Sequence, residues 1–249
     1  MRKLVLGLIS IIILCSIISL PVARADSKKT TLKLTNGAVY YGEVKDGKPN
    51  GKGTMTWSKN KSYSGQWANG KREGYGKYIA VEKNYEYSED EGDPTLIIYT
   101  GYWKNDKFNG KGIYKRQVFA PIVYGFQYKE QHGEYKDNIF IKGYEKEEWA
   151  DGKVLKYRDE KVNFSLVAYI ENWQDQWGKS LNEIINMGQM SEFTFTKDGK
   201  TIKYDSIDNS WSKDKAEIRT IVKPYSKKFD EILNSYLTEQ ASTYINFEG

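Results

Sequence analysis

The stretch YSGQWANGKREGYGKY, residues 63–78, interleaves glycines with aromatic rings on either side of an Asn-Gly pair. In a strand, residues two apart share a face, so Tyr63, Gly65 and Trp67 point one way while Ser64 and Gln66 point the other. Asn69-Gly70 then reverses the chain, because Asn-Gly tolerates the positive φ angles of a tight hairpin turn. On the return strand Gly74, Gly76 and Tyr78 share a face. Those glycines leave room for rings of the paired strand or of a neighbouring unit to lie flat over the backbone.

The stretch recurs. YYGEVKDGKPNGKGTMTW begins at Tyr40 and YTGYWKNDKFNGKGIY at Tyr99, so Tyr-x-Gly-x-(Trp or Val), a turn and Gly-x-Gly appear three times. The first spacing is 23 residues, and the second is 36, which is the same period with a 13-residue insertion. A worn fourth copy places Gly133, Tyr135 and Asn138 at 32 residues after Gly101, Trp103 and Asp106, with Lys142 and Tyr144 where Gly110 and Gly112 predict glycines. A single hairpin is marginal by itself, so such units must stack to bury a continuous aromatic layer.

A 23-residue period with this signature resembles the MORN repeat family, whose members carry Y-x-G-x-W-x-x-G-x-x-x-G-x-G in tandem. Good copies lie near 40–57, 63–80 and 99–116, a degenerate one near 131–152, and an acidic insertion at 81–98. Val44 stands in place of Trp in the first copy and Asp106 in place of Gly in the third. The structural repeat glycines are Gly42, Gly51, Gly53, Gly65, Gly74, Gly76, Gly101, Gly110 and Gly112. The expected fold is a mainly β repeat solenoid of tandem antiparallel hairpins over 26–154, an elongated twisted ribbon. A smaller α-rich (α+β) C-terminal module is expected over 155–249.

The first 25 residues read as targeting. Arg2 and Lys3 precede the apolar run Leu4–Leu20, and Ala23-Arg24-Ala25 offers a signal-peptidase pattern, so export is expected, with an uncleaved membrane anchor as the alternative. Loss of that segment lowers the net charge from +5 to +2, which is no nucleic-acid footprint. It also removes Cys15, the one cysteine, leaving neither disulfide nor thiolate chemistry. His132 is the one histidine and has no triad or zinc partner beside it, so it reads as an ordinary surface residue. Glu86, Glu89, Asp90, Glu91 and Asp93 crowd the insertion without the alternate spacing of a calcium loop, and read as a solvated acidic loop.

Past about residue 155 the pattern changes. Leu166, Ile170, Trp173, Trp177, Leu181 and Ile184 recur in steps of three and four, predicting one helix over about 162–187 with the two tryptophans in its core stripe. FTFTKDGKTIKY predicts a hairpin turning at Asp198-Gly199. Ile218 and Ile221 predict a short helix ended by Pro224, and Phe229 to Tyr244 a second amphipathic one.

The family resemblance implies a non-catalytic scaffold that joins proteins to one another or to membranes, lipid head groups having been proposed as ligands for some members. Partners are therefore expected to be a protein or a membrane or envelope surface, with a glycan as a variant, and no cofactor, metal or nucleic acid. Within the repeats Tyr63, Trp67, Tyr78, Trp103 and Tyr114 are the candidate partner surface, weighed against a role as stacking residues. Lys45, Gln66, Lys77, Lys104 and Lys111 form the polar face. The enzymatic alternative is a carboxylate-dependent hydrolase using Glu171, Asp175 or Glu183.

Overall fold

The computed structural model describes residues 28–84, 93–119, 126–149, 152–159, 164–171, 178–187, 190–197, 200–205 and 210–233. Among these, thirteen strands form one sheet in which every strand pairs antiparallel with the next in sequence. They are β1 (Lys29–Lys33), β2 (Val39–Lys45), β3 (Lys48–Ser58), β4 (Lys61–Ala68), β5 (Lys71–Asn84), β6 (Asp93–Lys104) and β7 (Lys107–Val118), followed by β8 (Phe126–Lys136), β9 (Ile139–Trp149), β10 (Gly152–Asp159), β11 (Phe164–Glu171), β12 (Met190–Lys197) and β13 (Lys200–Asp205). Three helices complete the described chain: α1 (Leu181–Met187), α2 (Ser210–Val222) and α3 (Ser226–Leu233).

The repeats fold as tandem hairpins. Asp46-Gly47, Asn69-Gly70 and Asn105-Asp106 each take positive φ at both positions, the geometry of a two-residue hairpin turn whose twist matches the strands. Asp137-Asn138 does the same in the fourth copy. That copy is more complete than its sequence suggests. Gly143 pairs with Gly133 as Gly112 pairs with Gly101, so Lys142 and Tyr144 are not the failed positions; the return strand has lost one residue of the bulge ahead of that glycine.

The described part of the insertion is sheet. Residues 80–84 pair with 93–97 and lengthen the β5–β6 hairpin, where a solvated loop was expected. Asp93 opens β6 opposite Asn84 and is buried. Glu86, Glu89, Asp90 and Glu91 lie outside the described residues.

The long helix over 162–187 does not form. Residues Phe164–Glu171 are β11, paired with β10 and β12, and among the described residues of that span the helix is Leu181–Met187. A step of four, as from Leu166 to Ile170, returns to the same face of a strand as well as of a helix, and FSLVAYIE is rich in β-formers. Trp173, Trp177 and Asp175 lie outside the described residues, as do residues 1–27 and 234–249. The hairpin β12–β13 forms as expected, with Lys197 opposite Lys200, and Ile218 lies buried in α2. Strand β10 runs through residue 155, so the sheet passes without a break from the repeats into the C-terminal region.

Two cores result, on opposite faces. Tyr40, Tyr63, Trp67, Tyr99, Trp103, Tyr135 and Phe140 make the first, on one face of the repeats. Leu155, Leu181, Ile184, Phe193, Ile218, Phe229 and Ile232 make the second, where the helices cover the other face of β9–β13 and reach Tyr144 and Tyr157.

Candidate functional site

Each repeat builds its own lock. The Tyr63 ring lies over Gly76, its hydroxyl donates to the Gln66 carbonyl at 3.0 Å, and Tyr40 and Tyr99 do the same to Glu43 and Tyr102 at 2.8 and 3.0 Å. Burial pushes the Tyr40 hydroxyl up to about 12, and those of Tyr63 and Tyr99 also well above the ordinary phenol range. The tryptophan of each following copy reaches back. Trp67 Nε1 donates to the Gly53 carbonyl at 3.0 Å and Trp103 Nε1 to that of Gly76 at 3.3 Å. Edge-to-face contacts run Tyr40–Trp67–Tyr63–Trp103–Tyr99–Tyr135, with centroids 5.0 to 5.5 Å apart.

This places the expected partner surface indoors. Tyr63, Trp67, Tyr78 and Trp103 are buried and Tyr114 packs half-buried against them, so their ring faces are covered by one another. The most exposed aromatic side chains among the described residues are on the other face: Tyr41, Tyr75 and Tyr102 are 56%, 52% and 50% exposed. A sequence signal for them existed, since each adjoins a repeat glycine and so faces away from the ring layer.

That outer face carries a continuous lane. Gly42, Gly53, Gly65, Gly76, Gly101, Gly112, Gly133 and Gly143 are successive register partners from β2 to β9. The backbone of all of these but Gly101 lines one of two grooves that meet at Tyr75. The first, of about 740 Å³, is lined by Tyr41 and Tyr75, by Lys29, Lys52 and Lys77, and by Thr54, Ser64 and Gln66. The second, of about 680 Å³, is walled by Tyr75, Tyr102, Tyr144 and Tyr157 and runs to Lys228 of α3. Tyr75 and Tyr102 meet edge to face at 5.4 Å.

His132 is not the ordinary surface residue its neighbours in sequence suggest. It lines the second groove, and its Nε2 pairs with the Glu130 carboxylate, which is 1% exposed. Glu130 also accepts from the Tyr128 hydroxyl at 2.6 Å and faces Lys115 at 3.4 Å. Alternation puts Tyr128, Glu130 and His132 on one face, but only the sheet shows that face to be covered at Glu130 and open at His132. Further along, Lys146 is fully buried against Glu148 at 3.0 Å, and burial lowers its pKa.

Of the carboxylates considered for catalysis, Glu183 caps α1. It accepts from the Ser180 N–H and hydroxyl at 2.8 and 2.7 Å, which hold its pKa down, while its own N–H donates back to the Ser180 hydroxyl at 3.3 Å. The side chains of Glu171 and Asp175 lie outside the described residues. Among the described residues no group of three or more His, Cys, Asp or Glu side chains is placed to hold a metal ion.

Comparison with known proteins matches the repeats. The MORN repeat profile fits residues 40–62, 63–81 and 99–117. Mouse alsin is 35% identical over 115 residues, 45% of this chain and 6% of alsin. MORN repeat-containing protein 3 of Xenopus laevis is 40% identical over 81 residues, 32% of this chain and 31% of the frog protein. The chain thus spans less than a third of either relative.

Proposed function

Because residues 40–117 are MORN repeats, we propose that this protein is a non-catalytic binding module that works at the cell envelope after export, engaging its partner through the outer face of the ribbon. One observation carries the reading: the rings of the repeat signature are consumed in packing, whereas Tyr41, Tyr75 and Tyr102 stand half-exposed along a groove with no structural task of comparable size. A row of exposed large aromatic side chains beside a concave floor is the common form of a recognition surface. The basic start, the apolar run Leu4–Leu20 and Ala23-Arg24-Ala25 support the export half of the proposal.

The test is binding of the purified chain to an envelope fraction, with Tyr75→Ala/Tyr102→Ala as the probe. Loss of binding at unchanged thermal stability supports the reading. Retained binding by that variant removes the groove from it. Fractionation of cells expressing the full chain, and the chain lacking residues 1–25, tests export: equal cytoplasmic retention of both removes the envelope.

A further inference from the structure

We propose that the second groove, over β5–β10, binds a neutral, β-linked linear glycan lying across the strands, with Tyr75 and Tyr102 at one end and Tyr144 and Tyr157 at the other flanking its rings. The assignment rests on the outer face of the ribbon being a binding surface and names the class of ligand that this part of it takes.

Register gives the groove two parallel walls. On one side of the glycine lane Lys111, Glu134, Lys142 and Asp159 stand opposite one another from β7 to β10, beyond the Tyr75–Tyr102 pair of β5 and β6. On the other side Thr100, Ile113, His132, Tyr144 and Tyr157 do the same from β6 to β10. Gly112, Gly133 and Gly143 lie between them. Each wall therefore presents a new side chain at every strand step of about 4.8 Å, over about 24 Å from β5 to β10. A β-linked pyranose chain is flat and advances by roughly one such step per ring, so successive rings meet successive side chains.

The walls select an uncharged, hydroxyl-rich ligand. Lys142 pairs with Asp159 at 2.5 Å, Lys228 with Glu231 at 2.6 Å, and Lys111 stands opposite Glu134, so neither sign of charge dominates. The same alternation sets donors beside acceptors, and a sugar hydroxyl serves both. The His132 ring adds an acceptor at Nδ1 when its Nε2 donates to Glu130. A proline-rich segment, the other ligand that aromatic grooves take, offers carbonyl acceptors and few N–H groups, so it brings little to the Glu134 carboxylate or to that nitrogen. An extended peptide finds no strand edge, because each of β5–β10 is paired on both sides.

The tyrosines are set in place by the fold itself. Phe229 of α3 meets the Tyr144 ring edge to face at 5.3 Å, Tyr225 meets the Tyr157 ring at 4.7 Å, and Tyr75 and Tyr102 steady each other. Rings already held lose little freedom when a ligand settles on them.

Calorimetric titration of the full chain with cellohexaose and with chitohexaose tests the proposal and separates plain from N-acetylated rings. Maltohexaose, whose α-linkage coils the chain, polygalacturonate and a polyproline peptide are the comparators. Binding of either β-linked hexamer is expected, with an affinity that added salt changes by under about twofold because no charge is matched to the ligand. Tyr102→Ala should weaken it at least about tenfold. Ile113→Arg, which lays a long side chain across the groove between Thr100 and His132, should weaken it as much while keeping every tyrosine. Tyr41→Ala, in the first groove, should change it by under about twofold.

Affinity unmoved by both Tyr102→Ala and Ile113→Arg overturns the proposal, as does equal or tighter binding of maltohexaose, polygalacturonate or polyproline. If no glycan binds while envelope binding still depends on Tyr75 and Tyr102, the glycan assignment falls and the binding module stands. If envelope binding is also indifferent to those tyrosines, both fall.

Discussion

The carboxylate of Asp106 accepts the backbone N–H of Arg72, 34 residues earlier, at 2.9 Å, and the Arg72 side chain at 3.0 Å. The contact explains why a glycine of the repeat signature is replaced here. In each turn after the first the second residue donates its N–H to a carbonyl of the preceding return strand: Gly70 to Pro49, Asp106 to Arg72, Asn138 to Phe108. Where that strand residue has an N–H of its own, the turn residue supplies an acceptor, as Asn138 Oδ1 does for Phe108 at 2.7 Å. Pro49 has no N–H, and opposite it stands Gly70, which has no side-chain acceptor. Asp106→Gly relieves a left-handed backbone yet should destabilise by about 1 kcal/mol, the net worth of a hydrogen bond and a partly screened ion pair. Gly70→Asp, which finds no N–H to serve, should gain nothing; urea midpoints of the two variants check the contrast.

A Cβ added at Gly76 falls inside van der Waals contact with the Tyr63 ring. Gly76→Ala should therefore cost about 1–3 kcal/mol through overpacking. The cost should shrink in a Tyr63→Ala background, where the ring is gone, and a double-mutant cycle in urea measures that coupling. Independent, additive losses would show that the ring does not define the glycine.

Trp67 joins two repeats through its ring and its Nε1. Trp67→Ala should lower stability by about 3–5 kcal/mol. Trp67→Phe keeps much of the packing and should also lose the hydrogen bond to Gly53, worth about 1 kcal/mol. Chemical denaturation of both variants separates the two contributions.

Alkali should unfold the ribbon. Burial disfavours the phenolates of Tyr40, Tyr63 and Tyr99, so their folded pKa values lie above the unfolded value of about 10. Their contribution is complete below that value and is lost as pH rises from about 10 through the value of about 12 reached by Tyr40. Denaturant midpoints should fall steadily over this interval, and near-UV dichroism should vanish as the phenolate absorbance of the buried rings develops.

The repeats were legible in the sequence because their requirements are local. Tyr63, Gly65 and Trp67 announce a strand face, Asn69-Gly70 a turn, and recurrence at 23 residues a stack, each following from chain geometry within one hairpin. What lay beyond the local pattern was misread or missed. Leu166 and Ile170 satisfy strand and helix alike, and pairing with β10 and β12 decided for the strand. Glu130 and His132 share a face by alternation, but full burial of one and partial exposure of the other depends on strands and helices distant in sequence.

The proposed partner surface divides in the same way. By itself the sequence determined which residues alternate, where the chain turns and that the units stack, because strand period and turn chemistry act over a few residues. Only the tertiary structure decided which face is interior. Stacking turned Tyr63, Trp67 and Trp103 against one another and left Tyr41, Tyr75 and Tyr102 to solvent, an outcome set by which side of the sheet could bury its rings against the next repeat.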